Sequence, residues 1–462
     1  MASCAVAMAG HRMLASLDEG GIPMRKFSLH VAALFAAFTL MAIPRGAHAQ
    51  ATPTATATPI SCGGGNFICN TGADEPGNEE GWLGISGGNI NSIAIDKSNA
   101  VTCCSGTFGA LVVDASPGAS PTPSYGYVLG TAHVFARNGG AHTNEEIVQP
   151  GLTDTGCWQD DTDTVATLTK STPLKYKGAK NELDAAIATV VAAPLTPNGP
   201  LVPGVRQDGA ILNIGQLSNV PFPYDQITDG LPVMKMGRTT CVTTGRIDAF
   251  DATGLVNYDG TCGAASSGTA TFDHQVLVFG EDLSSGNSCT FADKGDSGAI
   301  VVTNDFSCPQ AIGMVFAGAS GTGPDTGGTI IAINPMTTTT NIIGVPTNNG
   351  VLDKFKVKLV GQTCTPSPLE RRLNGASMPA HVTPALRASI EAVRSVKRAK
   401  APYMLKRKGV VAIGIGAGVT PESASLAVYL TDDTPAIRQW VQKQVPGTNV
   451  KFRTIKRKFK AL

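Results

Sequence analysis

The residues best able to do chemistry together are His133, Asp184 and Ser297, met in that order along the 462-residue chain. Ser297 lies in Lys294-Gly-Asp-Ser-Gly-Ala299, between two glycines that let the backbone turn sharply. His133 follows the apolar run Tyr127-Val-Leu-Gly-Thr, and Asp184 opens the run Ala185-Ala-Ile-Ala-Thr-Val-Val. A serine hydroxyl is a weak nucleophile until a neighbouring imidazole takes its proton. That imidazole must be held in one tautomer, commonly by a buried carboxylate. The oxyanion formed on an attacked carbonyl needs fixed donors, and the amides of Gly295 and Ser297 are suited to the task. Acyl transfer through a covalent intermediate is the chemistry this set predicts.

Each residue taken alone has a plainer explanation. Gly-Asp-Ser-Gly can be simply a turn, and a histidine before valine is usually a half-buried strand residue. Glu182, Asp160 and Asp161 compete with Asp184 for the carboxylate role. His142, in a Gly-Gly-Ala-His-Thr loop that suits the surface, and His274 compete with His133. It is the ordered triplet that favours catalysis.

The elements that must position these groups read as strands. Glycine accounts for 53 residues, and charged residues for only 15%, where about 25% is usual. Short apolar runs at 109–114, 125–129, 299–302, 311–316 and 329–333 are separated by Gly, Pro, Asn and Asp. This spacing predicts a mainly β body over residues 81–364, long enough for two barrels. After Cys364 the pattern changes. Thr383-Pro384 and Thr434-Pro435 each pair an N-cap with a first-turn proline, predicting two helices. Leu386, Ile390 and Val393 share a face of the first helix; Ile437, Trp440, Val441 and Val445 line the second. With strands over 410–415, 426–430 and a closing basic strand over 450–460, residues 365–400 read as linker and helix. Residues 401–462 then read as a small α+β module.

The N-terminus reads as a targeting segment. Met24-Arg-Lys, an apolar run over 31–43 and Ala47-His-Ala49 form a secretory leader over residues 1–49, with Met24 as its effective start. Its apolar run falls short of the about twenty residues that span a bilayer. The Ala/Thr/Pro-rich stretch that opens 50–80 reads as a solvated tether. Ten of the eleven cysteines follow the leader, none in a zinc-ligand or thioredoxin spacing. Disulfides in an exported protein, extracellular or periplasmic, are therefore expected. Cys241–Cys262 and Cys289–Cys308 are candidate local pairs.

Charge is unevenly placed. From Thr365 onward there are 18 Lys and Arg against 5 Asp and Glu, leaving 18 against 30 before it. The basic module is expected either to contact the acidic body within the same molecule or to bind an acidic surface. Arg371-Arg372, in a stretch with Pro, Ser and Gly, reads as an exposed linker or a processing site. No nucleotide-binding loop, metal-ligand cluster, other cofactor site or nucleic-acid signature stands out.

The β-rich region resembles the trypsin-like (chymotrypsin-fold) serine proteases, especially secreted bacterial members. The likeness is carried by Gly-Thr-Ala-His133-Val, Asp184-Ala-Ala-Ile, Gly237-Arg-Thr-Thr-Cys-Val-Thr-Thr-Gly245, Gly-Asp-Ser297-Gly and Gly313-Met-Val-Phe-Ala-Gly318. It implies two barrels with His133, Asp184 and Ser297 at their junction, and an oxyanion hole at Gly295 and Ser297. Phe291, six residues before the serine, and Phe316 with Gly318 would line the substrate cleft; Phe291 at that position argues against a trypsin-like preference for Lys or Arg and points to apolar or small side chains. Ala299 departs from the second glycine of Gly-Asp-Ser-Gly-Gly. Nothing basic precedes Ile85-Ser-Gly-Gly88, so Asp296 either needs a partner other than a newly freed N-terminal amine or acts differently. The function implied is a secreted serine endopeptidase acting on protein or peptide, with no cofactor, metal, nucleic acid or membrane span. The competing readings are a catalytically silent protease-fold binding protein and an esterase. The esterase class places its serine block first, the reverse of this order.

Overall fold

The computed structural model describes residues 81–462 apart from 96, 117–123, 159–162, 195–200, 320–329, 341–345, 374–375 and 380. The proposed leader, the tether, Cys62, Cys69, Asp160 and Asp161 lie outside the described residues. The fold is mainly β, as expected, and its strands gather into an 8-stranded and an 11-stranded sheet with several short hairpins. In the first sheet Tyr127–Gly130 lies antiparallel to Ala186–Val190, with Gly130 opposite Ala186. That register brings the exit of one strand and the entry of the other to the same end. His133 and Asp184 therefore meet there, although 51 residues separate them.

Six strands of the second sheet close into a barrel: Pro232–Lys235, Thr243–Tyr258, Gly268–Gly280, Ala311–Ala319, Ile300–Thr303 and Ile330–Pro335. Closure comes from Thr243–Tyr258, which pairs with both Pro232–Lys235 and Gly268–Gly280. Closing the sheet removes edges that would otherwise be open to other chains. The turn bearing Ser297 precedes Ile300–Thr303. It is tied to the first sheet by the Thr107 amide, which donates to the Ser297 carbonyl at 2.7 Å.

Both C-terminal helices form. Pro384–Met404 and Pro435–Gln444 are capped by Thr383 and Thr434, whose side chains accept from Leu386 and Ile437 amides. Leu386, Ile390, Val393, Ile437 and Val441 are buried, whereas Trp440 is only partly so. Strands Val410–Ala417 and Ala424–Leu430 do not stand apart from the barrel. Val410–Ala417 pairs with Thr243–Tyr258, and one hydrophobic core joins Ile413, Ile415, Leu426 and Val428 to Ile247, Val276 and Ile333. Ion pairs tie the basic part to the acidic body: Lys451 to Asp229 at 2.7 Å, Arg453 to Asp248 at 2.5 Å and Lys397 to Asp251 at 3.1 Å.

Several expectations are corrected. The closing strand is two strands, Val450–Thr454 and Phe459–Ala461, because exposed Lys456-Arg457-Lys458 occupy a bend between them. Arg371 is not exposed: it lies in a hairpin of Glu370–Leu373 with Ala376–Pro379, 5% accessible, its guanidinium donating to the Pro421 carbonyl at 2.9 Å. The two local disulfides do not form, since long-range contacts outrank sequence proximity. Cys104 bonds Cys262, Cys308 bonds Cys364, and Cys103 bonds Cys157; Cys241 and Cys289 are also disulfide-bonded.

A shared core has a measurable consequence. Ile413→Ala is expected to cost about 2–5 kcal/mol, the usual range for emptying a buried aliphatic site. Calorimetry should show a single transition moving as a whole. Two transitions, with only one shifted, would mean that the C-terminal strands fold independently.

Candidate active site

His133 sits in the short helical turn Ala132–Phe135, just beyond the strand Tyr127–Gly130. Asp184, fully buried, accepts the His133 backbone amide on Oδ1 at 3.0 Å and faces His133 Nδ1 with Oδ2 at 2.7 Å. One carboxylate thus holds both the main chain and the ring of the same histidine. Tyr258 Oη donates to the same Oδ2 at 2.7 Å. Asn334 fixes the Asp184 backbone: its Oδ1 accepts the Asp184 amide at 3.0 Å and its Nδ2 donates to the carbonyl at 2.8 Å.

Tyr258 and Asn334 were not picked out from the sequence. No local pattern marks either, because each comes from a strand of the second barrel and reaches Asp184 only through tertiary packing. Burial pushes the Tyr258 hydroxyl well above its usual value, and the Asp184 charge and hydrogen bond push it the same way. The hydroxyl is therefore held in its protonated, donating form. Burial of the His133 ring by itself disfavours the cation, but the charge and hydrogen bond of Asp184 outweigh it and the net shift is upward. The Leu462 carbonyl and the more distant Asp259 add to that upward shift.

Ser297 is fully buried in the turn 294–298. Gly298 has φ +104°, and a Cβ there would lie 2.0 Å from the Thr107 carbonyl oxygen, so no other residue fits. Gly295 has the same φ, and its Cβ would meet Thr239 Oγ1 at 2.4 Å. Asp296 secures the turn from below. It accepts from the amides of Thr239 at 2.8 Å and Asp293 at 2.9 Å, and from Thr240 Oγ1 at 2.7 Å. The ammonium of Lys235, equally buried, stands 3.5 Å from Asp296 Oδ2. Burial lowers the Lys235 pKa, and Asp296 opposes that shift. The Gly237-Arg-Thr-Thr stretch thus cradles Asp296 with its amides, and a lysine from the barrel supplies the cation.

Ser297 Oγ and His133 Nε2 meet on one atom. Ser297 Oγ donates to the main-chain oxygen of Leu462 at 2.5 Å, and His133 Nε2 lies 3.1 Å from the same oxygen. No direct hydrogen bond between the two side chains is formed among the described residues. A cavity of about 260 Å³ opens beside them, lined by His133, Tyr258, Gly295, Arg238, Ala461 and Leu462 among others.

The other expected residues divide. Gly318 borders Leu462: a Cβ on it would lie 3.1 Å from both leucine δ-carbons. Phe316 contributes its carbonyl, which accepts the Leu462 amide at 3.2 Å, while its ring packs on Phe272 with centroids 4.7 Å apart. Phe291 is buried in the barrel core, its ring close to Gly245 and its carbonyl accepting from Thr243 Oγ1 at 2.6 Å. Glu182 is exposed and His142 is exposed. His274 instead pairs with Asp251, Nδ1 to Oδ1 at 2.6 Å.

Replacing Asp184 by Asn removes the charge that favours the His133 imidazolium. Burial then acts against the cation with less opposition, and the His133 titration followed by NMR should move downward relative to the unaltered chain. The wild-type shift stabilises the fold fully below the unfolded value and is lost as pH rises through the raised folded value. That dependence should vanish or reverse in the variant; an unmoved titration would show that Asp184 does not control the ring.

No family model and no curated protein matches the chain. Among solved structures, the chain is similar to Cellulomonas bogoriensis chymotrypsin, at 16% identity over 59% of this chain and 98% of that one, TM-score 0.31. Thermobifida fusca protease A matches at 14% identity over 61% of this chain and 98% of that one, TM-score 0.31. A Nocardiopsis protease matches at 16% identity over 60% and 97%, TM-score 0.30.

Proposed function

We propose that this chain is an exported serine-type endopeptidase, with residues 81–364 as its protease body and residues 365–400 and 401–462 as an appended helix and basic module. The observation that carries the reading is a relay of contacts: Asp184 lies 2.7 Å from His133 Nδ1, and His133 Nε2 and Ser297 Oγ meet on one oxygen at 3.1 and 2.5 Å. Ser297 Oγ would attack the scissile carbonyl while His133 Nε2 takes its proton. Asp184, steadied by Tyr258, keeps Nδ1 protonated and stabilises the cation that forms. The developing oxyanion would be met by the amides of Gly295 and Ser297, held by the anchored Asp296. His133 then returns its proton to the leaving amine, and water releases the acyl group from Ser297 by the same route in reverse.

Export is supported by the disulfides and by the leader-like N-terminus read from the sequence. No helix among the described residues is long and apolar enough to cross a membrane.

A peptide-library cleavage assay on the exported protein and its Ser297→Ala variant tests the proposal. Loss of the nucleophile should lower the rate by about a thousandfold or more. Cleavage that is the same in both proteins would place the activity elsewhere.

Tyr258→Phe separates positioning from folding. A hydrogen bond to a charged acceptor contributes about 1.5–3 kcal/mol, so kcat should fall with KM little changed, and the His133 titration should move. A variant with unchanged kcat would remove Tyr258 from the mechanism.

A further inference from the structure

The chain's own C-terminal segment lies in the cleft in the manner of a peptide ligand. Phe459–Ala461 adds a strand between two barrel strands, antiparallel to Ala311–Ala319 and parallel to Thr243–Tyr258. Ala461 stands opposite Ala317 and Lys460 opposite Gly318. The Leu462 amide continues the ladder to the Phe316 carbonyl at 3.2 Å. Strand addition of this kind gives affinity through the main chain and leaves selectivity to the side-chain pockets.

Leu462 fills such a pocket. It is 7% accessible and belongs to the hydrophobic cluster of the second barrel, which includes Phe291, Val315 and Ile331. Its δ-carbons lie against Gly318, where a Cβ would approach both to 3.1 Å and Ile331 Cδ1 to 2.7 Å. Glycine at 318 is therefore what makes room for a branched aliphatic side chain. An ionised side chain would sit in the same apolar surroundings and lose its hydration. The Leu462 oxygen meanwhile takes the Ser297 hydroxyl hydrogen bond and lies within reach of His133 Nε2. In this arrangement the nucleophile is occupied.

We infer that the acyl side of this cleft selects a leucine-sized apolar residue, and that residues 460–462, anchored by the buried Phe459, are its resident occupant, a self-docked segment that must withdraw before a substrate enters. Assignment to the acyl side rests on the protease reading, whereas the pocket and its occupant stand on contacts alone. Withdrawal is confined to Lys460–Leu462, since Phe459 is fully buried in the core and stays in place. The docked strand has three residues, its Lys460–Asp259 ion pair at 2.6 Å is solvent-exposed, and the exposed bend 456–458 separates it from the strand Val450–Thr454.

The test compares the full chain with Leu462→Asp, using fluorescein-labelled Lys-Ala-Leu as probe and anisotropy as readout. The peptide should bind the variant at least about tenfold more tightly than the unaltered chain, whose tethered segment competes at high effective concentration. Lys-Ala-Glu should bind neither. Equal binding to both proteins, or none to the folded variant, overturns the inference. Hydrogen exchange on the unaltered chain gives an answer independent of how the variant folds. The Leu462 amide should be protected, and exchange at the rate of an unstructured peptide would equally overturn it. Fluorophosphonate labelling of Ser297 separates this from the function itself: peptide binding to the variant without any labelling would defeat the protease reading and leave the pocket assignment standing.

Discussion

The arrangement depends on one buried carboxylate. Asp184 takes three hydrogen bonds on its two oxygens, from the His133 amide, the His133 ring and the Tyr258 hydroxyl. A carboxylate removed from water is tolerated only when its lone pairs are met. Those partners come from both sheets, so satisfying Asp184 also ties the two sheets together. The same bonds orient the imidazole toward the cleft. Stability of the junction and the orientation of the His133 ring are thus one constraint.

A second buried charge does similar work beneath Ser297. Asp296 is surrounded by the Thr239, Thr240 and Asp293 donors, with Lys235 beside it. The pair lies inside the second barrel and needs no group from a distant chain end. Removing either partner would leave an unpaired charge in the core, typically a loss of about 3–5 kcal/mol. The Ser297 turn is therefore held by the fold that carries it. The C-terminal strands extend this barrel, which explains how a segment so late in the chain can reach the cleft.

Much of this could be seen in the residue order. His133, Asp184 and Ser297 were identifiable because each sits at a boundary between an apolar run and a polar or glycine-rich turn. Gly318 was singled out only by the resemblance that Gly313-Met-Val-Phe-Ala-Gly318 carries. The helices at Pro384 and Pro435 announced themselves by a capping threonine followed by proline, a purely local signal. Tyr258 and Asn334 carried no such signal, since alternating strands supply tyrosines and asparagines for many reasons. The disulfides went wrong for a related cause: spacing along the chain favours near neighbours, whereas Cys104 and Cys262 are brought together by folding across 158 positions.

By itself the sequence determined which side chains are available for chemistry, the mainly β character and the helical caps, because these follow from residue types and short-range periodicity. Only the tertiary structure decided which cysteines bond, which tyrosine steadies Asp184 and that Lys235 answers Asp296. It alone also decided that the last basic run breaks in two, so that Leu462 reaches Ser297. Each of these depends on strand register and on how two sheets face one another. Such contacts join positions far apart in the chain, and no local pattern encodes them.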